Sequence, residues 1–145
     1  MPIIHRTLQV PYSVSQMYAL VNAVEDYAEF LPWCKESKVL SRDEDEVHAT
    51  LTLAGGGFQK SFTTCNRMQS EKMIEIRLVH GPFKQLEGFW RFENIDENSC
   101  SITLDLEFEF SNMLLGLAFG PVFQQVVESL TDAFSERAKE IYGCR

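Results

Sequence analysis

The sequence lacks the features of an exported or membrane-spanning protein. No window approaches the ~18 apolar residues that cross a bilayer, and no basic region followed by an apolar run opens the chain. Its four cysteines form no C-x-x-C pair, so we expect free thiols and no disulfide framework. We therefore expect a soluble protein of the cytoplasm.

The common catalytic and metal-binding motifs are also missing. The chain contains no G-x-S-x-G, P-loop, H-E-x-x-H or G-x-G-x-x-G pattern. His5, His48 and His80 fall on different predicted strands without the spacing of metal ligands. We predict no catalytic residue, no metal site and no resident cofactor, and hence a binding protein, with cyclase activity as the open alternative.

Positive charge is scarce. Thirteen Lys and Arg residues stand against 21 Asp and Glu, for a formal net charge of −8. Such a surface repels nucleic acid at long range, because phosphate binding depends on basic side chains. DNA is therefore not an expected partner. An RNA-binding surface would need basic residues gathered on one side, such as Lys35, Lys38, Lys60 and Arg67; scattered, solvated charges are the alternative.

The length of 145 residues suits one domain, residues 1–145. After a strand at residues 3–10, Ser13 and Gln16 form a capping box that predicts a helix. Asp26 and Glu29 repeat the box and predict a second short helix through Phe30, ended by Pro32.

From residue 37 the hydrophobic period changes to two, which predicts six strands joined by short turns. The clearest case is the last strand, where apolar residues alternate with polar ones from Ile102 to Phe110. Short turns force antiparallel pairing. After a turn at residues 113–119 and a break at Gly120-Pro121, an apolar stripe predicts a long C-terminal helix. The predicted fold is α+β, a curved antiparallel sheet covered by this helix.

The inward face of such a sheet is apolar, and glycines such as Gly88 allow it to bend. Space left under the helix would therefore accept an apolar ligand; the alternative is that the side chains meet and leave no cavity. Residues 30–34 either plug the core, gate a pocket or dock on a partner. Residues 113–120 form either a lid or a helix buried against the sheet.

Several of these segments resemble one known family. Residues 10–18, residues 27–34, the Gly81-Pro82-Phe83-Lys84 turn and residues 108–120 are similar to the START-like family of the ribosome-association toxin RatA and the coenzyme Q-binding proteins. The similarity spans nearly the whole chain in order. Ala28 is a departure, because the family usually has proline there.

The resemblance implies the helix-grip fold of START and birch-pollen-allergen proteins, with a hydrophobic tunnel under the long helix. It implies binding of ubiquinone or a related polyprenyl lipid, with transient membrane contact. For the RatA branch it implies association with the large ribosomal subunit, and older family labels imply oligoketide cyclase activity or lipid transport. We predict ligand contacts from these residues: Phe30, Leu31, Pro32, Trp33, Phe83, Leu86, Trp90, Phe108, Phe110, Leu115, Phe119 and Phe123.

Overall fold

The computed structural model describes residues 3–31, 33–55 and 57–143. Its elements follow the predicted order of strand, two short helices, six strands and C-terminal helix. The strands are β1 Ile3–Val10, β2 Cys34–Arg42, β3 Glu46–Gly55, β4 Phe58–Gln69, β5 Met73–His80, β6 Phe83–Asp96 and β7 Ser99–Phe110. The helices are α1 Val14–Asn22, a 3₁₀ helix Val24–Glu29, α2 Met113–Glu128 and α3 Leu130–Tyr142.

The strands form one seven-stranded sheet in the order β1-β7-β6-β5-β4-β3-β2. Every neighbouring pair is antiparallel. The strands from β2 to β7 are a meander because each turn is too short for a crossover. β1 adds to the free edge of β7. The α+β fold class is thereby confirmed.

The first capping box is present, whereas the second is not. Ser13 Oγ accepts from the Gln16 N–H at 3.2 Å, and Gln16 Oε1 accepts from the Ser13 N–H at 3.0 Å. The predicted second box was wrong, because the 3₁₀ helix begins at Val24 without a side-chain cap. The Asp26 N–H donates to the Ala23 carbonyl at 3.0 Å. The chain therefore turns directly out of α1 and leaves no extended cap position at Asp26.

The C-terminal helix breaks at a different place from the one predicted. α2 begins at Met113, is capped by Asn112, whose side chain accepts from the Leu115 N–H at 2.7 Å, and runs through Pro121. Pro121 is exposed, so water can solvate the Leu117 carbonyl that loses its helical donor. The break falls instead at Ser129, where α2 and α3 meet at a bend of 44°. Within the described ranges, no single helix is long and apolar enough to cross a membrane; only the bent α2–α3 pair, taken together, meets that criterion.

The edge of the sheet around β7 is closely covered. Inward residues of β7 such as Ile102 and Leu104 are fully buried, and the polar residues between them are partly exposed. α3 packs on β1 and β7, and α1 packs on β6 and β7. The helices therefore lie nearest one half of the concave face. The strands on the other side, β3 to β5, face the bend between α2 and α3 across a gap.

Candidate functional site

A cavity of about 100 Å³ lies between the concave face of the sheet and the α2–α3 bend. Its wall is formed by inward side chains of β2 to β7, by the 3₁₀ helix and by residues on both sides of the bend. Most of this lining is hydrophobic. The predicted space under the C-terminal helix is therefore present, and it is small.

Four lining residues locate the mouth of the cavity. Leu51, Asn66, Ile76 and Leu130 remain half-exposed, whereas the rest of the lining is buried. The first three lie on the neighbouring strands β3, β4 and β5, and Leu130 begins α3. The mouth therefore opens between strands β3 to β5 and the bend that joins α2 and α3.

A glycine lets two strands approach closely beside the cavity. Gly88 pairs with Leu106 across β6 and β7. A β-carbon at position 88 would lie 2.0 Å from the Asp105 carbonyl oxygen, so only glycine fits there. Gly88 thus permits the close approach of β6 and β7, while its expected role in bending the sheet stays a prediction.

Most of the predicted aromatic ligand contacts instead pack on one another beside the cavity. We call the following group the aromatic cluster: Phe62, Phe83, Phe108, Phe110, Phe119 and Phe123. Ring centroids are 4.7 Å apart for Phe108 and Phe123, and 4.8 Å apart for Phe83 and Phe110. These rings pack together under the middle of α2, and only Phe62 and Phe123 also line the cavity.

The apolar segment after the 3₁₀ helix divides between cavity wall and surface. Leu31 is buried and lines the cavity, together with Cys34. Phe30 is half-buried and stacks edge-on against the lining residue Phe134 at 5.3 Å. Trp33 is 40% exposed. Pro32 lies outside the described residues.

Of the predicted ligand contacts, Leu31, Leu86, Trp90 and Phe123 therefore line the cavity. Leu115 is half-buried against the core and outside the lining. Its neighbours Met113, Leu114 and Leu117 are 72–82% exposed. The first turns of α2 are thus neither wholly buried nor folded over the cavity.

The lining is less uniformly apolar than the sequence analysis expected. The Thr64 hydroxyl donates to Asn66 Oδ1 at 3.0 Å, and both residues line the cavity. They lie on the inward row of β4, two residues apart. Extending the period of two from Phe62 through Thr64 to Asn66 identifies the pair from the sequence.

Tyr27 and Cys34 are the titratable residues of the cavity wall. The Tyr27 hydroxyl donates to the Val21 carbonyl, and burial raises the pKa of Tyr27 above its ordinary value. Burial likewise raises the pKa of the Cys34 thiol to about 11. Both groups are therefore neutral near pH 7, and the wall carries no charge.

The basic residues considered for RNA binding do not share one face. Lys60 and Arg67 are seven positions apart on β4, which pairs with β3 without a register shift. An odd separation points their side chains to opposite faces of the sheet. Arg67 also lies 3.4 Å from Glu46. Among the described residues, no cluster of His, Cys, Asp or Glu could hold a metal ion.

This architecture, a curved seven-stranded sheet closed by C-terminal helices over an apolar cavity, is the helix-grip fold of START proteins. A START superfamily protein from Mycobacterium smegmatis has the same fold, with a TM-score of 0.80 at 20% identity over 96% of this chain and 98% of that chain.

Residues 10–135 match the family described as polyketide cyclase/dehydrase and lipid transport, and the chain belongs to it. It is 44% identical over 145 residues to the ribosome association toxin RatA of Escherichia coli K12, covering 100% of this chain and 92% of the relative. It is 28% identical over 141 residues to the mitochondrial coenzyme Q-binding protein COQ10 of Dictyostelium discoideum, covering 94% of this chain and 69% of the relative. The resemblance predicted from the sequence is confirmed.

Proposed function

We propose that this protein binds a prenylated quinone, ubiquinone or a related polyprenyl lipid, in the cavity under the α2–α3 bend, as a non-enzymatic carrier in the cytoplasm that supports respiration. The observation that carries the proposal is an uncharged, mostly apolar cavity left open in an otherwise well-packed core. The lipid-transport description of the family and the name of the Dictyostelium relative support the same ligand class.

The size of the cavity sets how such a ligand would sit. An apolar cavity of roughly 150 Å³ takes up one benzene ring, so about 100 Å³ suits part of a ring and not a long chain. A quinone ring would enter the cavity and widen it, while the isoprenoid tail leaves past Leu51, Ile76 and Leu130. Burying 200 Å² of the ligand's apolar surface would contribute about 5 kcal/mol at ~25 cal/mol per Å².

Extraction of the purified protein into organic solvent tests the proposal. We expect a prenylated quinone in the extract and saturable binding of added quinone. The variant Leu106→Phe, which places a larger side chain in the cavity wall, should carry less quinone. Absence of any extracted lipid, together with no saturable binding, would contradict the proposal.

A second candidate function is association with the large ribosomal subunit, blocking the joining of subunits. Its support is the 44% identity to the protein named ribosome association toxin. The negative charge and the divided basic residues do not favour an RNA surface. Sucrose-gradient sedimentation after overexpression should show the protein with large subunits and fewer joined ribosomes. An unchanged profile would remove this candidate, and Leu106→Phe would show whether it depends on the cavity.

Transient membrane contact remains a prediction for ligand uptake. The exposed side chains of Met113, Leu114 and Leu117 on α2 are the part of the molecule that we expect to touch a lipid surface. Changing all three to serine should reduce flotation with phosphatidylcholine vesicles without changing the fold. Equal flotation of both proteins would rule out this surface.

A further inference from the structure

The hydrogen bonds of the cavity wall leave one polar group unused. The Tyr27 hydroxyl donates to the backbone carbonyl of Val21. The Cys34 thiol donates to the backbone carbonyl of Glu36 at 3.6 Å. Thr64 donates to Asn66 Oδ1. Among the residues that the structure describes, the two N–H groups of Asn66 Nδ2 have no acceptor within hydrogen-bond distance.

The Thr64 bond also decides what Asn66 offers. An asparagine amide has one acceptor oxygen and one donor nitrogen. Because the Thr64 hydroxyl is bound to the oxygen, the amide is held with its nitrogen free to donate. The pair therefore presents a hydrogen-bond donor, at a position where the other lining groups are apolar or already satisfied.

Asn66 lies at the mouth of the cavity. It pairs with Ile76 on β5 and Val47 on β3, and it is half-exposed, as are the mouth residues Leu51 and Ile76. An acceptor on the edge of a ring in the cavity would reach this position. In a prenylated quinone, a ring carbonyl stands next to the carbon that carries the tail, so the carbonyl and the departing tail would both lie at the mouth.

We propose that Asn66, oriented by Thr64, donates a hydrogen bond to a carbonyl oxygen of the ligand and selects ring compounds that carry a carbonyl over arenes with the same other substituents that lack one. This inference rests on the proposed ligand function and adds a specificity determinant to it. Burial of apolar surface supplies affinity for any apolar molecule of suitable size. The Asn66 amide donor distinguishes a quinone from an arene without carbonyls.

Calorimetric titration with two matched probes tests the inference. One probe is decyl-dimethoxy-methyl-benzoquinone, and the other is the decyl-dimethoxy-methyl-benzene that lacks both carbonyls. For Asn66→Leu we expect a loss of about 3- to 10-fold in quinone affinity, the range of one net hydrogen bond, with unchanged or tighter binding of the arene. Thr64→Val, which frees the amide to rotate, should give a smaller loss for the quinone alone.

The outcomes separate this inference from the proposed function. If Asn66→Leu weakens the binding of both probes equally, or of neither, the amide only packs against its neighbours or binds water at the mouth. The inference is then wrong, while the proposed ligand binding stands. If the wild-type protein binds neither probe, both fail. Cys65→Ser, on the outward face of the same strand, is the control and should bind both probes as the wild type does.

Discussion

The aromatic cluster under the middle of α2 and the cavity under the α2–α3 bend are built from similar apolar side chains, yet only the cluster is filled. In the cluster, six phenylalanine rings lie edge to face or stacked. In the cavity, leucines of β3 and isoleucines of β5 face a helix that bends away. Aromatic rings line the cavity as well, among them Trp90 and Phe134, so the direction of the helix, more than the type of side chain, locates the ligand space.

The largest expected effect comes from removing a ring of the filled region. Phe108→Ala should lower the free energy of unfolding by about 3–5 kcal/mol, because Phe108 is 1% exposed and contacts two other rings. Urea denaturation would measure it. The control is Phe89→Ala, on the opposite face of the sheet. Among the described residues, the only ring or cation partner of Phe89 is Arg91. If both variants lost the same free energy of unfolding, the cluster would not be filled as described.

A pair of identical substitutions on β7 compares filled and unfilled space directly. Leu104 is fully buried away from the cavity, whereas Leu106, two positions along the same face, lines it. Leu104→Phe should cost about 1–3 kcal/mol of stability by overpacking. Leu106→Phe should cost less than about 1 kcal/mol, because the cavity receives the ring. A reversed order in thermal and urea unfolding would show that the cavity is closed in solution.

Two buried thiols, one at the cavity and one in the packed core, make the stability of the protein depend on pH. Burial raises the pKa of Cys34, at the cavity, and of Cys100, in the packed core, from 9.0 to about 11. In the unfolded chain these thiols ionise first, so the native state holds more protons between pH 9 and 11 and stability falls across that window. We expect Cys34→Ala to reduce this loss by on the order of 1 kcal/mol. An identical pH profile for wild type and variant would contradict it.

The smallest effect concerns the wall beside Phe30. The Arg137 guanidinium lies 4.9 Å from the Phe30 ring centroid and 3.4 Å from Glu29. Arg137→Met should lower stability by about 0.5–1 kcal/mol. The matched change Arg6→Met removes an exposed pair with Glu128 at 3.7 Å and should cost less than about 0.5 kcal/mol. If both variants lost the same free energy of unfolding in chemical denaturation, the contact of Arg137 with Phe30 would contribute no more than an exposed ion pair.

Much of this fold could be predicted because its signals are local. The period of two along β7 identifies its buried face, and Ser13 with Gln16 fixes the start of α1. The continuation of α2 through Pro121 could not be predicted in this way. It depends on Pro121 falling on the exposed side of α2, which only the packed structure determines.

The site was less predictable than the fold. An inward apolar residue looks the same in sequence whether it meets a neighbour or a gap, as Phe108 and Leu106 illustrate. The contribution of Tyr27 to the wall depends on how the 3₁₀ helix docks against the sheet. Asn66 was the exception, since its inward position follows from the strand period alone.

Side-chain methyl NMR during titration with decyl-dimethoxy-methyl-benzoquinone tests the central claim most directly. Binding in the cavity predicts shifts of the methyl groups of Leu51, Leu106 and Val126, with Ile102 and Leu104 unchanged. Shifts confined to the exposed Met113, Leu114 and Leu117, with none at Leu106, would place the ligand on the surface and contradict a carrier that uses the space under the helix bend.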